Sequence, residues 1–248
     1  MKRFIGANLP AVLVVLAVWK LLSLAYPPLV IPGLGATAGK LGEILFRREG
    51  LAVLATTALR LLAGLGLGTA AGIALGALAG LLPQSLSPLR TLIGLAQAVP
   101  PVSWLVLALM WFGFNGRPSV FIVMAATLPA VAVAILEGLD QLDRKLLAMG
   151  RAFHFSRIGT LRLIVVPSLL PHFRAGFRVA LGIGCKAVIM GEILTTPTGV
   201  GGAIADARLN LEPETVAAWT LALLLLYWLL DRLGAALLRD REDGRRCS

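Results

Sequence analysis

The side chains that could do chemistry in this 248-residue chain are few and scattered. Its only imidazoles are His154 and His172, and its only thiols are Cys185 and Cys247. No C-x-x-C pair or Cys/His cluster occurs, so neither a metal-ligand set nor a catalytic triad can be assembled from them. Cys185 lies in a long apolar run and Cys247 at the far end of a basic tail, which makes a disulfide between them geometrically implausible. The segment GLGATAGKL, ending at Leu41, looks like a phosphate-binding loop, but that loop needs glycine where Leu34 stands and Ser or Thr where Leu41 stands. No nucleotide site is expected in this chain. Lys186 and Glu192 are different, because both fall in the apolar run 165–194. A charge at mid-membrane costs on the order of 2.5–3.5 kcal/mol on insertion scales, so such groups face a cavity or a partner. At six residues apart they do not share a helix face. Lys186 either attracts an anion in a cavity or is snorkelling or internally paired. Glu192, near the end of its run, is expected to pair or to hydrogen-bond the glycine turn that follows.

A second group of residues sits in a basic loop. Leu142, Leu146, Met149 and Phe153 recur at helical spacing, with Arg144, Ala148 and Arg151 on the opposite face. The stretch to Pro171, closed by Val166-Pro167 and Leu170-Pro171, therefore contains a short amphipathic helix. Such a helix between two membrane spans presents a surface to a soluble partner or lies in the headgroup region, with Arg144 and Arg151 on the lipid.

The elements that must position these residues are membrane helices. Hydrophobic residues make up 58% of the chain and charged residues 15%, against roughly half and a quarter in soluble domains. Mean hydropathy is +0.85. About six spans are expected, near 8–26, 52–82, 91–113, 119–138, 165–194 and 216–236. The first reads as an uncleaved anchor, because Tyr26-Pro27-Pro28 follows it in place of a small-x-small cleavage site. Lys2, Arg3, Arg90, Arg144, Lys145, Arg151, Arg157, Arg162, Arg232, Arg239, Arg241, Arg245 and Arg246 fall on one side of these spans. Lys40, Arg47, Arg48, Arg117 and Arg208 fall on the other. That asymmetry places both termini and the 139–164 loop in the cytoplasm. The net charge of +10 is then an orientation signal and an attraction to anionic lipid, since a nucleic-acid footprint would need a soluble basic face.

Two features of the spans concern packing. Gly64, Gly68, Gly72, Gly76 and Gly80 step by four, with Gly66 beside them, laying a groove for close backbone approach either within the monomer or at a dimer seam. Pro100-Pro101 and Pro129 are expected to kink the third and fourth spans. Arg60, Arg174 and Arg178, near span ends, are expected as anchors or internal ion pairs. No linker or domain-sized repeat interrupts the chain, so residues 1–248 are read as one membrane domain.

Ala148-Met149-Gly150, His154-Phe155-Ser156-Arg157, Val166-Pro167 and Leu170-Pro171 together resemble the cytoplasmic "EAA" loop of binding-protein-dependent ABC importer permeases. Trp111-Phe112-Gly113, Arg178-Val179-Ala180-Leu181-Gly182, Gly191-Glu192 and Gly199-Val200-Gly201 agree with it in order and spacing. The resemblance runs over nearly the whole chain and is to the sulfonate, nitrate and taurine branch. Three positions depart from the loop pattern: Ala148 stands for its Glu, Gly150 for its second Ala and His154 for its turning Gly. Histidine can adopt the left-handed conformation such a turn needs, at more cost than glycine.

The resemblance implies an all-α, polytopic type I ABC importer permease with a cytoplasmic coupling helix, acting as a homodimer in the bacterial inner membrane. Its implied partners are two ATPase subunits, a second copy of the permease, an extracytoplasmic substrate-binding protein and lipid, with no nucleic acid. ATP and Mg are then bound by the partner ATPase, and this chain is non-catalytic. Met149, Gly150, Arg151, Phe153, His154 and Phe155 are implied to dock on the ATPase. Lys186 and Glu192 are the candidate residues of a translocation pathway for a small, anionic solute. An ion-coupled secondary transporter is the alternative, and it favours paired acids within the spans.

Overall fold

A computed structural model describes residues 2–82 and 86–239 of the chain. The side chains of Lys2, Arg3, Arg144 and Arg239, and the whole of Arg241, Arg245, Arg246 and Cys247, lie outside the described residues. The described residues form helices throughout: α1 (Lys2–Ala25), α2 (Leu34–Phe46), α3 (Arg48–Leu81), α4 (Leu86–Ala98), α5 (Pro101–Phe112) and α6 (Arg117–Asp140) in the first part. They continue as α7 (Arg144–Ala152), α8 (Arg157–Thr160), a π turn (Leu161–Val165), α9 (Val166–Thr195), α10 (Gly199–Leu209) and α11 (Pro213–Arg239).

Among the described residues, three helices, α3, α6 and α11, are long and apolar enough to cross a bilayer unbroken. Five crossings result if the bent pairs α4–α5 and α8–α9/α10 are each counted as one. Of the six or so expected spans, three are thus unbroken helices and two are bent pairs. α1, 24 residues from Lys2 to Ala25, has the length expected of the first span, since a span needs about 20 residues. The expected third span, 91–113, is a break with an 86° bend and not a kink. Consecutive prolines at 100 and 101 delete two N–H donors and push the residue before each towards an extended backbone. Pro100 accordingly has φ −58° and ψ 136°, and α5 restarts with Pro101 in its first turn, where a missing N–H costs nothing. Pro129, by contrast, is accommodated inside the continuous α6.

α6 is the centre of the packing, clasped by α3 on one side and α9 on the other. The glycine ladder of α3 meets α6 of the same chain. A Cβ on Gly64 would lie 2.6 Å from the Val120 carbonyl oxygen, one on Gly72 2.9 Å from the Leu128 carbonyl oxygen, and those on Gly68 and Gly76 would collide with Thr127 and Ile135. Gly80 has room, with Leu139 at 3.4 Å, and Gly66 faces open space. α9 approaches the same core with a sparser set: Gly176 abuts Ala134, Gly184 meets Leu61, and Gly191 lies against Ser119. Leu61, Leu65, Leu105, Ile122, Val123, Val131 and Val188 fill the buried core between these helices.

Because overpacking costs about 1–3 kcal/mol, Gly68→Val is expected to lower the thermal unfolding midpoint and the yield of monodisperse protein. Gly66→Val, on the open side of the same helix, is expected to leave both at wild-type values. Equal behaviour of the two variants in detergent would show that the close approach to α6 carries no stability.

Candidate functional site

The basic loop is built by capping. Asp143 accepts a hydrogen bond from the Lys145 amide at 2.8 Å and starts α7, and Ser156 accepts one from the Gly159 amide at 3.1 Å and starts α8. Between them α7 closes in a Schellman turn: the Phe155 amide donates to the Gly150 carbonyl (2.9 Å) and the His154 amide to the Arg151 carbonyl (3.0 Å). This turn requires a left-handed residue, and His154 takes it at φ +53°. The expectation for His154 is thus met in its backbone, at a cost of about 1–2 kcal/mol relative to glycine.

The candidate docking residues divide into two groups. Met149, Arg151, Phe153, His154 and Phe155 are exposed, Phe153 at 70% of its surface, and the Phe153 and Phe155 rings lie 6.5 Å apart. Gly150 is buried, and a Cβ there would approach Ile164 of the π turn at 2.9 Å. Unlike the other five, Gly150 packs the loop against itself, facing the chain that continues into α9. Leu146, Met149 and Phe153, the expected apolar face, stay open.

At the other end of α9, Glu192 is fully buried. Its carboxylate accepts from the Thr57 hydroxyl (2.8 and 3.0 Å), from Arg60 Nη1 (2.7 Å) and from the Gly201 amide (2.9 Å). Arg60 also reaches the Thr198 carbonyl at 2.9 Å and its hydroxyl at 2.7 Å, while Thr57 accepts from the Val200 amide. Gly199, at φ +88°, presses its backbone on the carboxylate so closely that a Cβ there would collide with it, and a Cβ on Gly201 would collide with Glu192 Cβ and the backbone of α9 at Ile189 and Ile193. The carboxylate thus ties α3, α9 and the α10 turn together, as the pairing and glycine-turn reading expected. Both carboxylate oxygens are engaged, and Glu192 is not among the residues lining the cavity described below. Arg60 is the internal pair partner. Arg178 pairs with Asp231 at 2.7 Å, and Arg90 with Asp140.

A cavity of about 600 Å³ opens between the α4–α5 break, α6 and α9. Its walls are mainly alanine, valine and proline, with Trp104 from α5. Gln97, Glu137 and His172 are its polar groups, and His172 Nε2 lies 3.1 Å from Gln141 Oε1. Val179 and Ile183 bring α9 to its wall. Lys186 lies three residues beyond Ile183 on that side of α9, exposed, and among the described residues no carboxylate or hydrogen-bond acceptor reaches its ammonium. Sequence reasoning missed Thr57, Trp104, Glu137 and the caps Asp143 and Ser156. Of these only the caps carried a local signal, a side-chain acceptor just before a helical pattern.

The family described as "Binding-protein-dependent transport system inner membrane component" matches residues 64–242. The "Putative aliphatic sulfonates transport permease protein SsuC" of Escherichia coli is 29% identical over 58% of this chain and 54% of its own length. The "Taurine transport system permease protein TauC" of Escherichia coli is 26% identical over 60% of this chain and 54% of its own. The "Nitrate import permease protein NrtB" of Synechococcus elongatus is 26% identical over 46% and 41%. The chain thus spans about half the length of the curated relatives it matches.

Removing one partner of a buried ion pair costs about 3–5 kcal/mol, because the other charge is stranded. Glu192→Ala is therefore expected to abolish or strongly reduce folded protein, and Glu192→Gln, which keeps an acceptor, to do so less. The double change Arg60→Met with Glu192→Leu is expected to recover part of the loss. The unfolding midpoint of each purified variant is the measurement.

Proposed function

The chain belongs to the family of binding-protein-dependent transport system inner membrane components, and on that premise we propose that it is the permease subunit of an ATP-driven importer. A second copy completes the pathway, two soluble ATPase subunits dock on the loops of the two copies, and an external binding protein delivers the solute. ATP and Mg are held by the ATPase subunits, and this chain contributes the pathway and no catalytic group. The membrane is the bacterial inner membrane, with the loop and both termini in the cytoplasm, in keeping with the distribution of cations.

The observation that carries this reading is the exposed aromatic end of the loop. Phe153 and Phe155 stand in solvent at a turn fixed by two backbone hydrogen bonds, and large apolar side chains held open in this way mark a contact surface. The turn is fixed to the membrane helices through Ile164 against Gly150 and through the helical run 157–195. A push on Phe153 is thereby delivered to α9 and, through the Gly176–Ala134 contact, to α6. Alternating access needs such a lever, because hydrolysis in a separate subunit can move helices only through a rigid connection. Ion-coupled secondary transport is less well supported, since the engaged carboxylate of Glu192 has no free oxygen with which to exchange an ion.

Lys186 is the candidate charge for an anionic solute, in line with relatives named for sulfonates, taurine and nitrate. An unpaired ammonium one turn beyond the cavity wall attracts an anion more strongly there than it would in bulk water.

Co-expression with a cognate ATPase subunit tests the lever. Phe153→Asp is expected to release the ATPase on purification while the permease stays in the membrane. Gly150→Arg makes a poor second variant, since it disrupts the loop itself. Full retention by Phe153→Asp would remove the lever.

For the charge, Lys186→Met is expected to preserve assembly and basal ATPase activity while reducing uptake and substrate-stimulated hydrolysis about tenfold, the effect of losing roughly 1.4 kcal/mol. Lys186→Arg should reduce them less. Normal uptake by Lys186→Met would make the lysine an anchor.

A further inference from the structure

The cavity between the α4–α5 break, α6 and α9 has a volume of about 600 Å³, within the range of small-molecule sites. Its polar groups are weighted towards acceptors, with the Gln97 amide as a side-chain donor among them. Glu137 contributes a carboxylate, and among the described residues no cation pairs with it. Ala96 and Gln97 lie in the last turn of α4, where carbonyls lack helical donors, and Pro100 and Pro101 remove the N–H groups that a continuing helix would have offered them. Pro129 likewise leaves the carbonyl of Ala125, also on the wall, without its i+4 donor. The C-terminus of α4 and the N-terminus of α5 meet at this wall, so the negative end of one dipole lies beside the positive end of the other. No lysine or arginine lines the cavity among the described residues. The remainder of the wall is apolar, with one large aromatic ring, Trp104.

We propose that this cavity is a solute-binding site within the permease for an organic molecule that has an apolar or aromatic body and an N–H donor group, and that it excludes compact inorganic oxyanions. The inference rests on the permease reading above and adds the chemical class of what passes. The carbonyls that Pro100, Pro101 and Pro129 orphan are costly in an apolar wall, and a donor-bearing solute satisfies them, whereas an oxyanion adds more acceptors beside the Glu137 carboxylate. The apolar walls and Trp104 bury the body and stack on it. A cationic donor gains further from Glu137. If the solute also carries an acid group, that group lies towards Lys186, outside the acceptor-lined part. Among the chemistries named for the relatives, nitrate is the one this cavity fits least.

The full chain in lipid nanodiscs, alone and with its ATPase, can be titrated with benzylamine, benzenesulfonate and sodium nitrate while tryptophan fluorescence is followed. Trp104→Phe assigns the signal among the five tryptophans. Benzylamine is expected to give a saturable response that disappears in Trp104→Phe, with a midpoint at least about tenfold below that of benzenesulfonate, and nitrate none. Glu137→Gln is expected to raise the benzylamine midpoint about tenfold, and Ala130→Leu, which fills the wall, to do the same through volume alone. Equal or tighter binding of nitrate or benzenesulfonate overturns the proposal. So does a non-saturating response unchanged by Ala130→Leu, which would mark the cavity as lipid-filled, or one lost only when the nanodisc holds two copies, which would mark it as covered by the second subunit. The same preference in a chain that fails to retain its ATPase would sink the importer reading and leave this one standing.

Discussion

Helices in lipid have no hydrophobic drive towards one another, and this constraint governs the rest of the structure. Association in a bilayer relies on close van der Waals contact and on the few polar bonds that can be made. α6 satisfies that requirement by meeting two helices whose facing side chains have been deleted. Gly64, Gly68, Gly72 and Gly76 let α3 touch the carbonyls and β-branched side chains of α6, and Gly176, Gly184 and Gly191 bring α9 to the same core. The carboxylate of Glu192, shared by Thr57, Arg60 and the Gly201 amide, supplies the polar bond that closes one end of the trio.

The two ends of α9 consequently differ in kind. One is locked by a buried ion pair wrapped in glycine backbone, where substitution strands a charge. The other leads into a loop held only by caps, a Schellman turn and the contact of Ile164 with Gly150. About 45 Å separates the ends of a 30-residue helix, so motion at the loop reaches a fixed anchor at the far side. Between them lie the broken pair α4–α5 and the cavity, where irregular backbone is tolerated because it borders a space and not lipid.

Much of this was legible in the sequence wherever a period or a residue's own stereochemistry carried the signal. The i, i+4 glycines announced close packing, though the period could not name α6 as the partner. The second set, at 176, 184 and 191, is spaced by eight and seven residues and gave no comparable pattern. Pro100-Pro101 announced a disturbance, but whether a helix resumes in line or at 86° depends on what packs beside it. Glu192 was visible as a buried acid near a glycine turn. Its partners Thr57 and Arg60 are more than 130 residues away in the chain, beyond any local rule. The same holds for Gln97, Glu137 and His172, which meet around one cavity from three helices. In the loop, helical periodicity located the helix at Arg144–Ala152, but it could not show that Gly150 turns inward, since that depends on the path of the chain after His154.

The π turn at 161–165, closed by the Val166 amide on the Leu161 carbonyl, has a geometric consequence. A π turn accommodates one residue more than an α turn, which amounts to about 100° of winding absorbed at a single point. The loop side of the run 157–195 and its membrane side are therefore set at different azimuths. Ile164 can meet Gly150 while Gly176, Gly184 and Gly191 still face the core. Unwinding that one residue would swivel α7 about the axis of α9 with little displacement along it. The connection is thus stiff to a push and yielding to a twist, so a partner gripping the Phe153 end would have torque as well as thrust at its disposal.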